Sequence, residues 1–217
     1  MATAGTLLTR LNEKLNDVGA VRWPDAEHFR AMNDALGAIL EARPDLFEVY
    51  ANFTPVAGVR QTVPADCFIL FDVMSNLDTA SNDMTTPITP VKRATLDRQR
   101  PSWPSLAASA IADHWMQDNR SRSEFQVCPP QHTTVGKFLI RYAQRPTVIT
   151  ASGDSLPLYE ESVNALYNFC MHRALEKDEK FAGSPTAEAY MMKFAQFIAA
   201  RTAGEDAATA AKAEEEG

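Results

Sequence analysis

The spacing of apolar residues changes period twice along the chain. In "TLLTRLNEKLNDV", Leu7, Leu8, Leu11, Leu15 and Val18 recur at helical intervals, which predicts an amphipathic helix that ends in the polar stretch before Trp23. A second helix is predicted from Phe29, Met32, Leu36, Ile39 and Leu40 on one stripe. Pro24 suits its first turn, Asp25 and Glu27 suit the positive end of its dipole, and Pro44 stops it.

From residue 45 to about 157 the period shortens to two. Strands are predicted around Val59 to Val63, along the apolar run Cys67 to Met74, in "EFQVC" at 124–128 and in "GKFLIRYA" at 136–143. Between them "TTPITPVKRATLDRQRPSWPSL" carries Pro87, Pro90, Pro101 and Pro104, which predicts a long surface excursion with at most a short helix near Leu96. Helical spacing then returns. Tyr159, Val163, Leu166, Cys170 and Ala174 form one stripe, with Tyr167, Met171 and Leu175 beside it. A last helix is expected from the cap Ser184 and Pro185 onward, through Tyr190, Met191, Phe194, Phe197 and Ile198.

The predicted fold class is α+β: a four-helix bundle built from both chain ends with an inserted small β module. Its expected divisions are the N-terminal helices at 1–44, the β module with its proline-rich excursion at 45–157, the C-terminal helices at 158–202 and an acidic Ala-rich docking tail at 203–217.

Charge sharpens this picture. The 217 residues hold 21 Lys and Arg against 28 Asp and Glu, a net charge of −7, which argues against a surface made to neutralise phosphates. Five of the acids (Glu205, Asp206, Glu214, Glu215 and Glu216) sit in the tail with Lys212 alone to offset them. An isolated Ala-rich helix of that length is marginal in water, so another subunit is expected to hold it. Three widely spaced cysteines give no disulfide framework, no apolar run is long enough for a membrane span, and the start lacks a signal-peptide layout. Synthesis in a reducing cytoplasm is the expectation.

Candidate chemistry is sparse. Cys170 and His172 stand about 200° apart on a helix, so they face opposite ways and do not form a dyad. Cys170 reads as a buried thiol and His172 as an exposed or interfacial histidine. Cys128 and His132 flank two prolines with no second Cys/His pair nearby, and His114 with Asp113 and Asp118 is a polar cluster whose bland reading is a solvated face. Phosphate loops, G-x-S-x-G, H-E-x-x-H and paired C-x-x-C motifs are absent, and no cofactor, catalytic residue or metal site is expected. The best binding candidates are Lys92, Arg93, Arg98 and Arg100 with Trp103 after them, followed by Arg120 and Arg122 on the same logic; in an acidic molecule a carboxylate-bearing protein partner suits them better than nucleic acid.

The succession "VRWPDAEHFRAMNDALGAILEARPD", "AGVRQTVPAD", "LDRQRPSWP", "FQVCPPQ" and "YNFCMHRALEKDEKFAG" resembles the head-to-tail adaptor (connector, or tail tubular A) proteins of short-tailed bacteriophages, over about residues 5–202. The shared motifs are structural, so no single residue's role is carried over. The resemblance implies a structural virion protein and not an enzyme: a dodecameric ring beneath the portal protein that receives the tail nozzle and lets double-stranded DNA pass without specific binding. It also implies that Tyr167 and Phe169 reach a neighbouring subunit, and that Glu205, Asp206 and Glu214 of the tail dock on a portal subunit or an adjacent adaptor. A tail terminator or other tail-completion protein, a capsid or filament coat protein, and an enzyme built on the His114 cluster remain the alternatives.

Overall fold

A computed structural model describes residues 2–117, 121–132, 136–178, 180 and 182–199. The fold is α+β, and the chain divides into two compact units: 1–46 with 146–217, and Phe47–Arg145.

The first unit is helical. Helix α1 (Ala4–Leu15) starts at a reciprocal cap, in which the Thr6 N–H donates to the Thr3 hydroxyl and the Thr3 N–H to the Thr6 hydroxyl. It buries Leu7, Leu8 and Leu11 and stops at Asn16, whose φ of 54° closes the last turn. The periodic extension to Val18 does not hold: Val18 is 82% exposed in the following loop, because the left-handed cap turns the chain away first. Helix α2 (Asp25–Ala42) buries Met32, Leu36, Ile39 and Leu40, with Pro24 as its extended N-cap.

Helix α4 (Val163–Lys177) packs on both α1 and α2 through Leu166, Cys170, Ala174 and their neighbours. Each fully buried leucine such as Leu166 contributes about 1.5–3 kcal/mol. Polar links stitch the two chain ends together: Trp23 Nε1 donates to the Ala174 carbonyl at 3.0 Å, Lys177 pairs with Glu27 at 2.6 Å, and Arg22 with the buried Asp178 at 2.8 Å. Tyr159 lies off the stripe predicted for it; it is exposed and precedes the helix. A further helix, α5 (residues 185–199), is capped by the Ser184 hydroxyl, which accepts from the Ala187 N–H, and buries Ala187 and Phe194.

The second unit is a pair of four-stranded sheets. Strands β1 (Glu48–Phe53), β8 (Phe138–Gln144), β3 (Cys67–Leu77) and β4 (Met84–Pro87) form one in that order. The other runs β2 (Gly58–Thr62), β7 (Glu124–Gln131), β6 (His114–Met116) and β5 (Thr89–Pro90), with β5 and β6 parallel and the remaining pairs antiparallel. Leu70, Val73, Phe138 and Ile140 of the first sheet share one core with Trp115, Phe125 and Val127 of the second. The Phe53 ring lies 5.4 Å from Phe125 and 6.3 Å from Phe138.

The proline-rich stretch runs mostly over the surface and carries the expected short helix, but it also contributes strands. It supplies β4, β5 and the short helix α3 (Arg93–Gln99), and it buries Ile88, Leu96 and Trp103. Pro87 and Pro90 are tolerated because β4 and β5 are each the outermost strand of a sheet, where a missing N–H breaks no internal ladder.

Candidate docking surfaces

The sequence-predicted binding residues separate into three groups. Arg93, Arg98 and Arg100 are exposed on and after α3, and Arg93 leans on Asp97 at 3.5 Å. Trp103 is corrected from partner anchor to core residue. It is 2% exposed, packs with Leu96, Met116 and Cys128, and donates its indole N–H to Asp97 at 2.8 Å. Tyr167 is likewise buried, with the Arg10 guanidinium 4.0 Å over its ring and Tyr190 edge-on at 6.1 Å. Phe169 is half-buried, 5.0 Å from Phe194. Both rings are engaged inside the helical unit. Glu205, Asp206 and Glu214 lie outside the described residues, as do Asp118 and Arg120.

The reactive side chains are held in inert settings. Burial pushes the Cys170 thiol up to about 12 and Cys67 up to about 11, and it raises Cys128 as well. A thiol so shifted stays protonated at neutral pH and is a poor nucleophile. His172 turns Nδ1 toward the Ala187 carbonyl at 3.2 Å, away from Cys170, and His132 is exposed while Cys128 is buried. Among the described residues no group of three His, Cys, Asp or Glu is placed to hold a metal ion, and no helix is long and apolar enough to cross a membrane.

Sequence reasoning touched one further surface only through Arg122 and missed another altogether. On the β unit, Arg145 and Arg122 stand 5.3 and 5.9 Å over the Phe68 ring, and Arg141 stands 5.8 Å over Phe71, a pairing of arginine with aromatics of the kind enriched at protein interfaces. Only the period-two placement of these residues would have hinted at it.

On the helical unit, the loop after α1 is stapled by one side chain. The Asp17 carboxylate accepts from the backbone N–H groups of Val21 (3.1 Å), Arg22 (2.9 Å) and Trp23 (2.8 Å). The fixed loop projects Val18 and Val21, 82% and 85% exposed, and walls a groove of about 420 Å³ against α1.

Those donors, the Trp23 N–H first, hold the Asp17 carboxyl below the usual carboxylate range. The folded state therefore favours the charged form, and the stabilisation is fully present above the ordinary carboxylate value of about 3.9 and lost as pH falls through the lower folded value. Asp17→Ala is expected to lower Tm at pH 7, with the gap from wild type closing below about pH 4. Thermal melts from pH 7 to 3 check this, and a gap that stays constant across the range would refute it.

By class this is a structural protein, with charged and apolar surfaces exposed on two separately built units. The chain belongs to the SU10 adaptor protein family, whose model matches residues 2–214 and so covers both units. It is thereby a phage adaptor, a structural component of the virion neck that meets other neck proteins. No curated protein matches the chain.

Proposed function

We propose that the protein assembles as a closed dodecameric ring that joins the portal protein to the tail nozzle and forms part of the channel through which DNA leaves the capsid. The observation that carries this reading is the family match over residues 2–214. Membership in an adaptor family calls for at least two partners, and the resemblance to short-tailed phage connectors supplies which ones.

The physical chemistry is compatible with the role. A ring closes through heterologous contacts in which each copy offers two unlike surfaces, and this chain carries an exposed cationic helix α3 on one unit and a carboxylate-bordered groove on the other. The helices from the two chain ends close as a four-helix bundle and form the ring wall. A net charge of −7 lets a lumen repel phosphates, so that DNA slides past without adhering. The acidic segment 203–217 docks on a portal subunit or an adjacent copy.

Mass photometry of the purified protein, alone and mixed with portal rings, tests the proposal. Portal rings are expected to gain mass in a fixed multiple of 23.9 kDa. Portal rings that gain none would overturn the assignment in favour of a tail terminator.

A further inference from the structure

The groove between α1 and the stapled loop has the makings of a receptor. Leu8 and Val18 give it apolar surface, and Glu13 and Asp25 place two exposed carboxylates at its border that make no ion pair among the described residues. Asn12 lines the same groove while only 9% exposed, and its Oδ1 is buried with no hydrogen-bond partner. The nearest cations in sequence do not fill the place: Arg22 is engaged by Asp178, and Lys14, adjacent to Glu13 on the helix, does not line the groove. An apolar wall bordered by two carboxylates fits an alkyl stem that ends in a hydrogen-bond-donating cation, the side chain of lysine or arginine. The loop is fixed in advance by Asp17, so little ordering is left to be done on binding.

The chain itself carries the complementary element. Residues 92–100 are its densest run of cations, with Lys92, Arg93, Arg98 and Arg100 against Asp97 alone. All four cations are exposed, and Lys92, Arg98 and Arg100 make no ion pair among the described residues.

We infer that the groove formed by α1 and the loop 16–23 receives a cationic side chain from the α3 segment of a second copy. This rests on the ring reading and deepens it by naming the two faces that meet. Each copy contributes one groove and one cationic segment, so the contact repeats head to tail around the ring. Like charges brought together at such a contact are costly, which makes it sensitive to reversal.

The test uses two full-length variants, Glu13→Arg with Asp25→Arg, and Arg98→Glu with Arg100→Glu, each checked by circular dichroism for an unaltered fold. Mass photometry then follows their incorporation onto portal rings. Either variant alone is expected to load at least about tenfold less than wild type, and an equimolar mixture to recover, because copies alternating around the ring pair every groove with an opposite charge. Single variants that load like wild type would overturn the contact while leaving the ring reading intact. Single variants that fail, with a mixture that also fails, would overturn the second copy as occupant and point to another neck protein. Wild type that never loads would remove the ring reading itself.

Discussion

Trp103→Ala is expected to destabilise the β unit by about 3–5 kcal/mol, the range for removing a large aromatic from a packed site. The indole is 2% exposed, holds Leu96, Met116 and Cys128 together, and satisfies Asp97 from within. Its loss leaves a cavity beneath α3 and frees the Asp97 carboxylate that steadies Arg93. Urea unfolding followed by fluorescence from the remaining tryptophans and by circular dichroism measures the change. A loss below about 1 kcal/mol would show that the site collapses without cost and that Trp103 is not a keystone of this segment.

Asn76→Ala is the second large effect, on the order of 3 kcal/mol, for a different reason. Asn76 is 3% exposed and ties β3 to β4 and to the segment that leads into β6. Its Oδ1 accepts from the Ala112 N–H at 2.8 Å, and its Nδ2 donates to the Ala112 carbonyl at 2.8 Å and to the Thr86 hydroxyl at 2.9 Å. Alanine removes little volume but strands both backbone groups of Ala112 in a site that is 1% exposed. Amide exchange reads this locally: the Ala112 N–H is expected to lose its protection in the variant. Retained protection at Ala112 would mean that the clamp is dispensable.

The helices were legible because their signals are local. Leu7, Leu8 and Leu11, the stripe from Met32 to Leu40, and Ser184 with Pro185 each state their role within one or two turns. The strands β2, β7 and β8 were legible for the same reason at period two, and β3 as an unbroken apolar run. Strand β1 was passed over although Val49, Ala51 and Phe53 alternate toward the core, because the preceding Pro44 and Asp45 read as a break. The stretch 87–104 was half legible: its largely exposed course and the short helix around Leu96 were expected, its two edge strands were not. Proline content reports a missing N–H, and only the sheet order shows that the missing donors fall at edges.

Candidate surfaces were less legible than elements. Arg93, Arg98 and Arg100 stand exposed, as a charged run should, whereas Trp103, placed beside that run, and Tyr167, placed at an interface by the resemblance, are occupied within their own units. The stapled loop leaves almost no trace in the sequence, since one aspartate accepting from three later N–H groups looks like any polar turn. Asn76 is similar: a polar residue at the end of an apolar run gives no hint that its partner lies 36 residues on.

The division of the chain has a consequence in time. The β unit is one uninterrupted stretch, Phe47–Arg145, whereas the helical unit is completed only when residues beyond 146 join those before 47. On the ribosome, at roughly 5–20 residues per second, the β unit is whole several seconds before α4 emerges, and α1 and α2 wait with their leucine stripes uncovered. The strands that must find distant partners thus receive a head start, and the helices, which form fast, finish last.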